Sequence, residues 1–296
     1  MLKKIMLFLL CAVMVFTCVS CGKKNDDEEK MKNKESVSVK ESELYSNFNL
    51  NQSTITKASV FSKDGVTVKL TDITYEDVTT KIDFRLKNDT DKKVKVVTAD
   101  FSVNGLMCTD AMMCDVEAKT EKDSYIEISN EWFAELNIDT IKNMDYTIRV
   151  LDEQNNEIIR SGVINTVTDA PKDYEQKYDE EGFIIYNRDG IVFAARELKK
   201  SKLSNDMELS FYVENNTDRS FSISASDVSV NGTPIEPTFV ITVGANKKAV
   251  DSMLFHEADL TAGRIGEFKT ISASFKAFND NLETVFETQK VEIPVQ

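Results

Sequence analysis

Beyond residue 55 the chain is dominated by apolar positions that alternate with polar ones. Ile82, Phe84 and Leu86 alternate in this way, and so do Leu209, Phe211 and Val213. Val94 and Val96, then Phe101 and Val103, continue the pattern, matched later by Phe221 and Ile223, then Val228 and Val230. Successive side chains of a strand point to opposite faces, so a period of two predicts half-buried strands in antiparallel sheets. Helical spacing is confined to "NEWFAELNIDTIKN" at 130–143, which predicts one short crossover helix. The later stretch "EADLTAGRIGEF" at 257–268 reads as a turn.

The pattern is written twice. "RLKNDTDKKVKVVTADFSVNG" at 85–105 aligns without a gap on "YVENNTDRSFSISASDVSVNG" at 212–232, an offset of 127 residues. Upstream, "KDGVTV" at 63–68 matches "RDGIVF" at 188–193 with a slip of two. An offset this long is the duplication of a whole domain, not a solenoid repeat of ~20–50 residues. Each copy holds several short strands separated by turn signals, which predicts a β-sandwich. Asn104-Gly105 and Asn231-Gly232 stand between alternating runs, and Asn-Gly is the signature of a type I′ hairpin, whose two central residues need φ > 0. "KNDTD" and "ENNTD" gather carboxylates and amides but lack the ligand positions and turn glycine of a calcium loop, so Asx-type turns account for them. The polar stretch "TDAPKDYEQKYDEEG" at 168–182 separates the copies. The expected organisation is a signal segment at 1–20, a disordered tether at 21–54, one domain at 55–168, a linker at 169–181 and a second domain at 182–296.

The order "DG", alternating strands, "N-x-T-D", "SVNG" and a closing hairpin resembles the immunoglobulin-like domains of bacterial surface lipoproteins. The resemblance implies an all-β fold of two tandem immunoglobulin-like antiparallel sandwiches, and it implies no particular ligand. The Cys…Trp…Cys spacing of antibody domains is absent.

The first 21 residues, "MLKKIMLFLLCAVMVFTCVSC", join a basic start at Lys3 and Lys4 to an apolar run from Ile5 to Phe16. That run is shorter than the ~20 residues a membrane-spanning helix needs, and it has the form of an export signal. "CVSC" followed by Gly22 resembles a lipobox, with Ser20 before Cys21 and Cys18 where leucine is usual. The resemblance implies that Cys21 is diacylglycerylated and becomes the first residue of the mature, Gram-positive-type lipoprotein, anchored on the extracytoplasmic face of the cell membrane. Two acyl chains hold a protein stably at a bilayer. The following "GKKNDDEEKMKNKESVSVKESE" is nearly all charged or small polar, has no apolar period to build a core and reads as a flexible tether.

Composition narrows the chemistry. The chain carries 36 basic and 50 acidic residues, a net charge of −14. Loss of Lys3 and Lys4 with the signal makes it −16, and so acidic a surface argues against nucleic-acid partners. His256 is the single histidine, so no Ser-His-Asp or Cys-His set is evident, and no phosphate-cradling glycine motif occurs. "LMCTDAMMCDV" at 106–116 concentrates Met107, Cys108, Met112, Met113 and Cys114. Three readings stay open: apolar filling, a Cys108–Cys114 disulfide in an oxidising compartment, and a soft-metal site. The expected function is a non-catalytic binding module without cofactor, held to the lipid bilayer and facing an envelope protein or glycan. The alternatives are a solute-capturing lipoprotein that serves a transporter and an envelope enzyme.

Overall fold

A computed structural model describes residues 31–40, 48–201 and 204–296. Cys21 and its lipobox lie outside the described residues. The first described segment carries β1 (Lys32–Asn33) and β2 (Ser38–Lys40). Copy one opens with β3 (Ala58–Lys63), β4 (Val66–Tyr75), β5 (Thr79–Asn88) and β6 (Val94–Val103). It continues through β7 (Leu106–Met107), β8 (Met113–Val116), β9 (Thr120–Ser129) and α1 (Asn130–Glu135). β10 (Asn143–Leu151), β11 (Glu157–Arg160) and β12 (Ile164–Val167) close it. Copy two repeats the order with β13 (Glu181–Arg188), β14 (Ile191–Lys200), β15 (Met207–Asn215), β16 (Phe221–Val230), β17 (Thr233–Pro234) and β18 (Val240–Val243). It ends with β19 (Lys247–Phe255), α2 (Glu257–Ala262), β20 (Thr270–Phe278), β21 (Thr284–Glu287) and β22 (Val291–Pro294).

The protein is all-β, built of antiparallel sandwiches of the immunoglobulin-like kind. In copy one a sheet ordered β3-β4-β5-β9 faces a sheet in which β6 pairs β8 and β10. The chain leaves the first sheet after β5, makes β6 to β8 in the second and returns beside β5 as β9, a Greek-key path. The alternation read from the sequence decides which side chains lie between the sheets. Ile82, Phe84, Leu86, Leu209, Phe211 and Val213 are all buried. Each copy has its own core, one centred on Phe84, Phe101 and Tyr146, the other on Phe193, Phe211 and Phe275. Phe193 lies 5.0 Å edge-to-face from Phe275.

The duplicated residues recur as duplicated geometry. Asp100 and Asp227 have φ of 55° and 52° at the bulges of β6 and β16, where the alternation changes face. Asn104 and Gly105 have φ of 50° and 85°, and Asn231 and Gly232 have 50° and 81°, so both hairpins turn as the dipeptides predict. Gly105→Val and Gly232→Val impose the same backbone strain, ~1–3 kcal/mol for a non-glycine residue held at such φ. A Cβ at Gly105 would make an ordinary contact with the Tyr178 hydroxyl at 3.5 Å and leave the valine methyls less room than at Gly232, where nothing lies within 4 Å. Denaturant titration is therefore expected to show the larger loss for Gly105→Val. Equal losses would remove Tyr178 from this corner.

Two expectations are corrected. The disordered tether assigned to 21–54 does not hold for its described parts. β1 pairs in parallel with Glu181 and Gly182 of β13, and β2 with Glu197 to Lys199 of β14. Val37 is fully buried in the core of copy two. Residues 48–54 are docked on copy one, where Asn51 donates through its backbone N–H to Asp139 O at 2.7 Å. The physical reason is a short period-two signal, Val37 and Val39 in "ESVSVK", placed where sheet edges offer unpaired backbone groups. The stretch read as a turn at 257–268 begins as a helix, α2, with Glu257 and Asp259 in its first turn and Leu260 buried.

Candidate functional site: the seam and cleft between the copies

The two sandwiches share a sheet. β7 of copy one lies parallel to β19 of copy two through Leu106 and Lys248, which joins one sheet of each copy into a single path. The corner that makes this contact is held by Asn104. Its side-chain amide donates to Thr140 O at 2.8 Å, and its Oδ1 accepts from the backbone N–H groups of Lys142 and Asn143. Asn231 repeats the arrangement with Glu267, Lys269 and Thr270. Both asparagines thus tie a hairpin corner to the strand that starts beside it.

The segment expected as a linker packs into this seam. The Tyr178 hydroxyl donates to Asn104 O at 2.5 Å, and the Asn104 amide donates to Gln176 Oε1 at 3.1 Å. Lys142 Nζ donates to Tyr174 O at 2.5 Å. Lys248 is the electrostatic centre, mostly buried among Glu214 at 3.0 Å, Glu180 at 3.3 Å and the Tyr212 hydroxyl at 2.9 Å. The Tyr178 ring faces its ammonium at 4.8 Å. Burial first, then the nearby Glu214 and Glu180 carboxylates, push the Tyr212 hydroxyl well above its ordinary value, so it stays protonated beside Lys248. Lys247 pairs with Asp145 and Lys199 with Glu135 at 2.8 Å, both across the seam, while Arg196 pairs with Asp179 of the linker segment. Such shielded pairs fix orientation more than they add net stability, because desolvation offsets most of their attraction.

Beside the seam lies a cleft of about 450 Å³. Copy one lines it with Asp100, Thr147, Arg160 and Val163, and copy two with Asp218, Arg219, Thr242, Asn279 and Asp280. Glu157 holds Arg160 in place, accepting from its Nε at 2.9 Å and its Nη2 at 3.0 Å. Arg160 and then Arg149 bring the Glu157 carboxyl down to about 2. Arg160 also feels the carboxylates of Asp100 and Asp280, one from each copy. Thr147 Oγ1 donates to Asp100 at 3.1 Å. The cleft therefore offers both signs of charge, amides and hydroxyls, with Val163 exposed at its rim. That set can hydrogen-bond a polar chain or a glycan. Among the described residues no group of three or more His, Cys, Asp or Glu is placed to hold a metal ion.

The Met- and Cys-rich stretch begins in the seam, where Leu106 pairs with Lys248 and Met107 lines the cleft, and runs on into the core of copy one. Cys108 and Cys114 are free and buried, so the disulfide is not formed. Cys108 N–H donates to Phe101 O, while Cys114 pairs opposite Val96. Five residues of β6 separate those points, roughly 16 Å at ~3.3 Å per residue, and a disulfide spans Cα atoms no more than ~7 Å apart. The repeat explains both thiols. Cys108, Met112 and Cys114 occupy the positions of Ile235, Phe239 and Ile241, all buried. They are core filling, and the alignment of the two copies carries that signal in the sequence. Burial pushes the Cys108 thiol up to about 12. Thiol titration of the non-reduced protein is expected to find neither group in the native state and both after unfolding. A native-state reaction within minutes would place them at the surface.

His256 precedes α2, with Nε2 3.0 Å from Thr238 Oγ1 and Nδ1 3.8 Å from Asp206. It lies in copy two and is not among the residues that line the cleft. Asn88 and Asn215 are fully buried, their amides spent on backbone carbonyls.

No family model matches this chain, and no curated protein does. Among solved structures it is similar to red sea bream transglutaminase, at 7% identity over 77% of this chain and 31% of that one, TM-score 0.21. It is also similar to a protein of unknown function from Porphyromonas gingivalis W83, at 8% identity over 74% and 91% of the chains, TM-score 0.20. A third is the Salmonella enterica SafA pilin in complex with the SafB chaperone, at 12% identity over 72% and 88%, TM-score 0.17. The chain spans less than a third of the transglutaminase's length. What the structure itself defines is a tandem immunoglobulin-like β-sandwich protein with a cleft at its seam.

Proposed function

We propose that the protein is a lipid-anchored, extracytoplasmic, non-catalytic binding module of a bacterial cell envelope, attached through Cys21 and presenting the seam cleft to a protein or glycan partner. The observation that carries the reading is the cleft, because both copies contribute its charged and amide groups while the shared sheet and the Lys247–Asp145 and Lys199–Glu135 pairs join the copies. Sites at domain interfaces are where converging polar groups most often serve ligands. The export signal and lipobox-like "CVSC" support the location.

Two measurements test it. Mass spectrometry of the mature protein is expected to find a diacylglyceryl group on Cys21, and a free thiol there would remove the anchor. A photo-crosslinking residue in place of Val163, 73% exposed, is expected to capture a discrete envelope component in intact cells. Capture should be lost when Arg160→Ala and Asp280→Ala are combined. A small solute that raises the melting temperature without any crosslinked product would instead assign the cleft to solute capture.

A further inference from the structure

We infer that copy two carries a second binding site, a groove at the end of its sandwich that takes an extended peptide of a partner protein. The inference rests on the internal repeat and is independent of the seam cleft.

Copy one shows what belongs in such a groove, because its equivalent seat is filled by residues 48–55 of the chain itself. Phe48, Leu50 and Ile55 pack on the core of copy one. Asn51 pairs in parallel with Thr140, its backbone N–H donating to Asp139 O at 2.7 Å and its side-chain amide to Thr140 Oγ1 at 2.9 Å. Ser53 N–H donates to the Tyr75 hydroxyl at 3.0 Å, and that hydroxyl donates to Ser53 O at 3.0 Å. Thr54 N–H donates to the Asp169 carboxylate at 2.6 Å. An extended peptide is thus gripped through its backbone, with apolar side chains two residues apart facing inward.

The positions that grip it recur in copy two with other side chains, so what recurs is the backbone edge and the apolar floor. The register of β4 on β5 and of β14 on β15 sets Lys200 where Tyr75 stands. The offset of 127 sets Gly266, Glu267 and Gln296 where Asp139, Thr140 and Asp169 stand. All four line one groove of about 650 Å³, whose floor is Leu198, Met207, Leu260, Ile265 and Phe268. Copy two's own lead-in does not lie there. Tyr178, which matches Ser53 in the slipped register, has its hydroxyl on Asn104 in the seam. Among the described residues the N-terminal strand covers the Gln296 end, through Val37 and Val39, and runs beside β14 as far as Lys199. The Gly266–Phe268 end keeps the edge that pairs with peptide in copy one. Addition of a strand to such an edge, with alternate side chains in an apolar trough, is a general mode of peptide recognition. The partner segment is therefore extended, with apolar residues two apart followed by an amide side chain.

The probe is the blocked octapeptide FNLNQSTI, the sequence of residues 48–55. Titration by nuclear magnetic resonance is expected to show saturable binding, with shifts at Gly266, Glu267 and Lys269. Arg160→Ala in the cleft should leave binding unchanged, which keeps failure of this site distinct from failure of the cleft. A Cβ at Gly266 meets nothing within 4 Å, so Gly266→Trp fills the groove without disturbing the core. With the melting temperature retained, that variant should weaken peptide binding by ~10-fold or more. Three results would overturn the proposal. The first is no binding at millimolar peptide, or equal binding to Gly266→Trp. The second is a concentration-dependent dimer abolished by Gly266→Trp, which gives the groove to a second copy. The third is peptide binding that requires replacement of residues 41–47 by Gly-Ser repeats, which gives it to the chain's own segment.

Discussion

Val37→Asp is expected to lower the melting temperature of copy two by roughly 10 °C, from a loss of ~3 kcal/mol or more for a carboxylate placed without a partner in an apolar core. Val37 is fully buried and its own backbone is paired on both sides, the N–H donating to Pro294 O at 2.8 Å and the C=O accepting from the Gln296 N–H at 2.9 Å. Val39, two residues on, is 52% exposed, so Val39→Asp should change stability little. Hydrogen exchange should place the loss in β14, β20 and β22 and leave the copy-one core protected. A free tether predicts no difference between the two substitutions, and that result would undo the docking of the N-terminal strand on copy two. The consequence is mechanical as well as energetic. The segment that follows the proposed anchor is bound to copy two before the chain enters copy one.

Asn88→Ala should be the most damaging polar substitution in copy one. The buried Asn88 amide donates to the carbonyls of Lys92, Val116 and Glu117 at 2.8, 3.0 and 3.2 Å. Its Oδ1 accepts from the Thr90 N–H at 3.0 Å and the Thr90 hydroxyl at 2.7 Å. Removing it strands the buried Val116 carbonyl and the part-buried Glu117 carbonyl and Thr90 N–H, and at ~1–3 kcal/mol for a buried group left unsatisfied the expected loss is roughly 2–3 kcal/mol. Asn88→Asp keeps the shape but turns an oxygen toward those carbonyls, so it should not rescue. Asn215→Ala should do the same to copy two, where the amide serves Arg219 O and Gly244 O. Urea titration of single variants measures both. A loss below about 1 kcal/mol, the size of an ordinary exposed hydrogen bond, would remove the bracket.

These asparagines mark the limit of what local pattern reveals. "N-x-T-D" signals an Asx turn, and the turn is there: Thr90 and Thr217 each donate to the asparagine two residues before. The sequence does not show that the same amide reaches Val116 and Glu117, because that contact exists only once β8 lies beside β6. The cysteines illustrate the reverse. Their role was legible, since aligning the copies sets Cys108, Met112 and Cys114 on Ile235, Phe239 and Ile241. Only the unusual composition of the stretch suggested bridge or metal chemistry. The docked N-terminal strand escaped a compositional reading because two valines in a charged segment contribute little to an average, yet one of them fills a core position.

The cleft and seam were beyond the sequence altogether. Asp145 and Lys247 are 102 residues apart, and Tyr178 and Asn104 are 74 apart. Nothing in either neighbourhood records the partner.

By itself, then, the sequence determined the strands, the hairpin corners and the duplication. These follow from a period of two, from the φ > 0 demand at Asn-Gly and from local composition, all of which act over a few residues. The tertiary structure decided which copy receives the N-terminal strand, how the linker welds the copies and where the cleft and the groove lie. Those depend on pairings between residues far apart in the chain, and a duplicated sequence predicts the same environment twice. Here the first copy's end is covered by its own lead-in while the second's lead-in is drawn into the seam, so packing alone makes the two copies different.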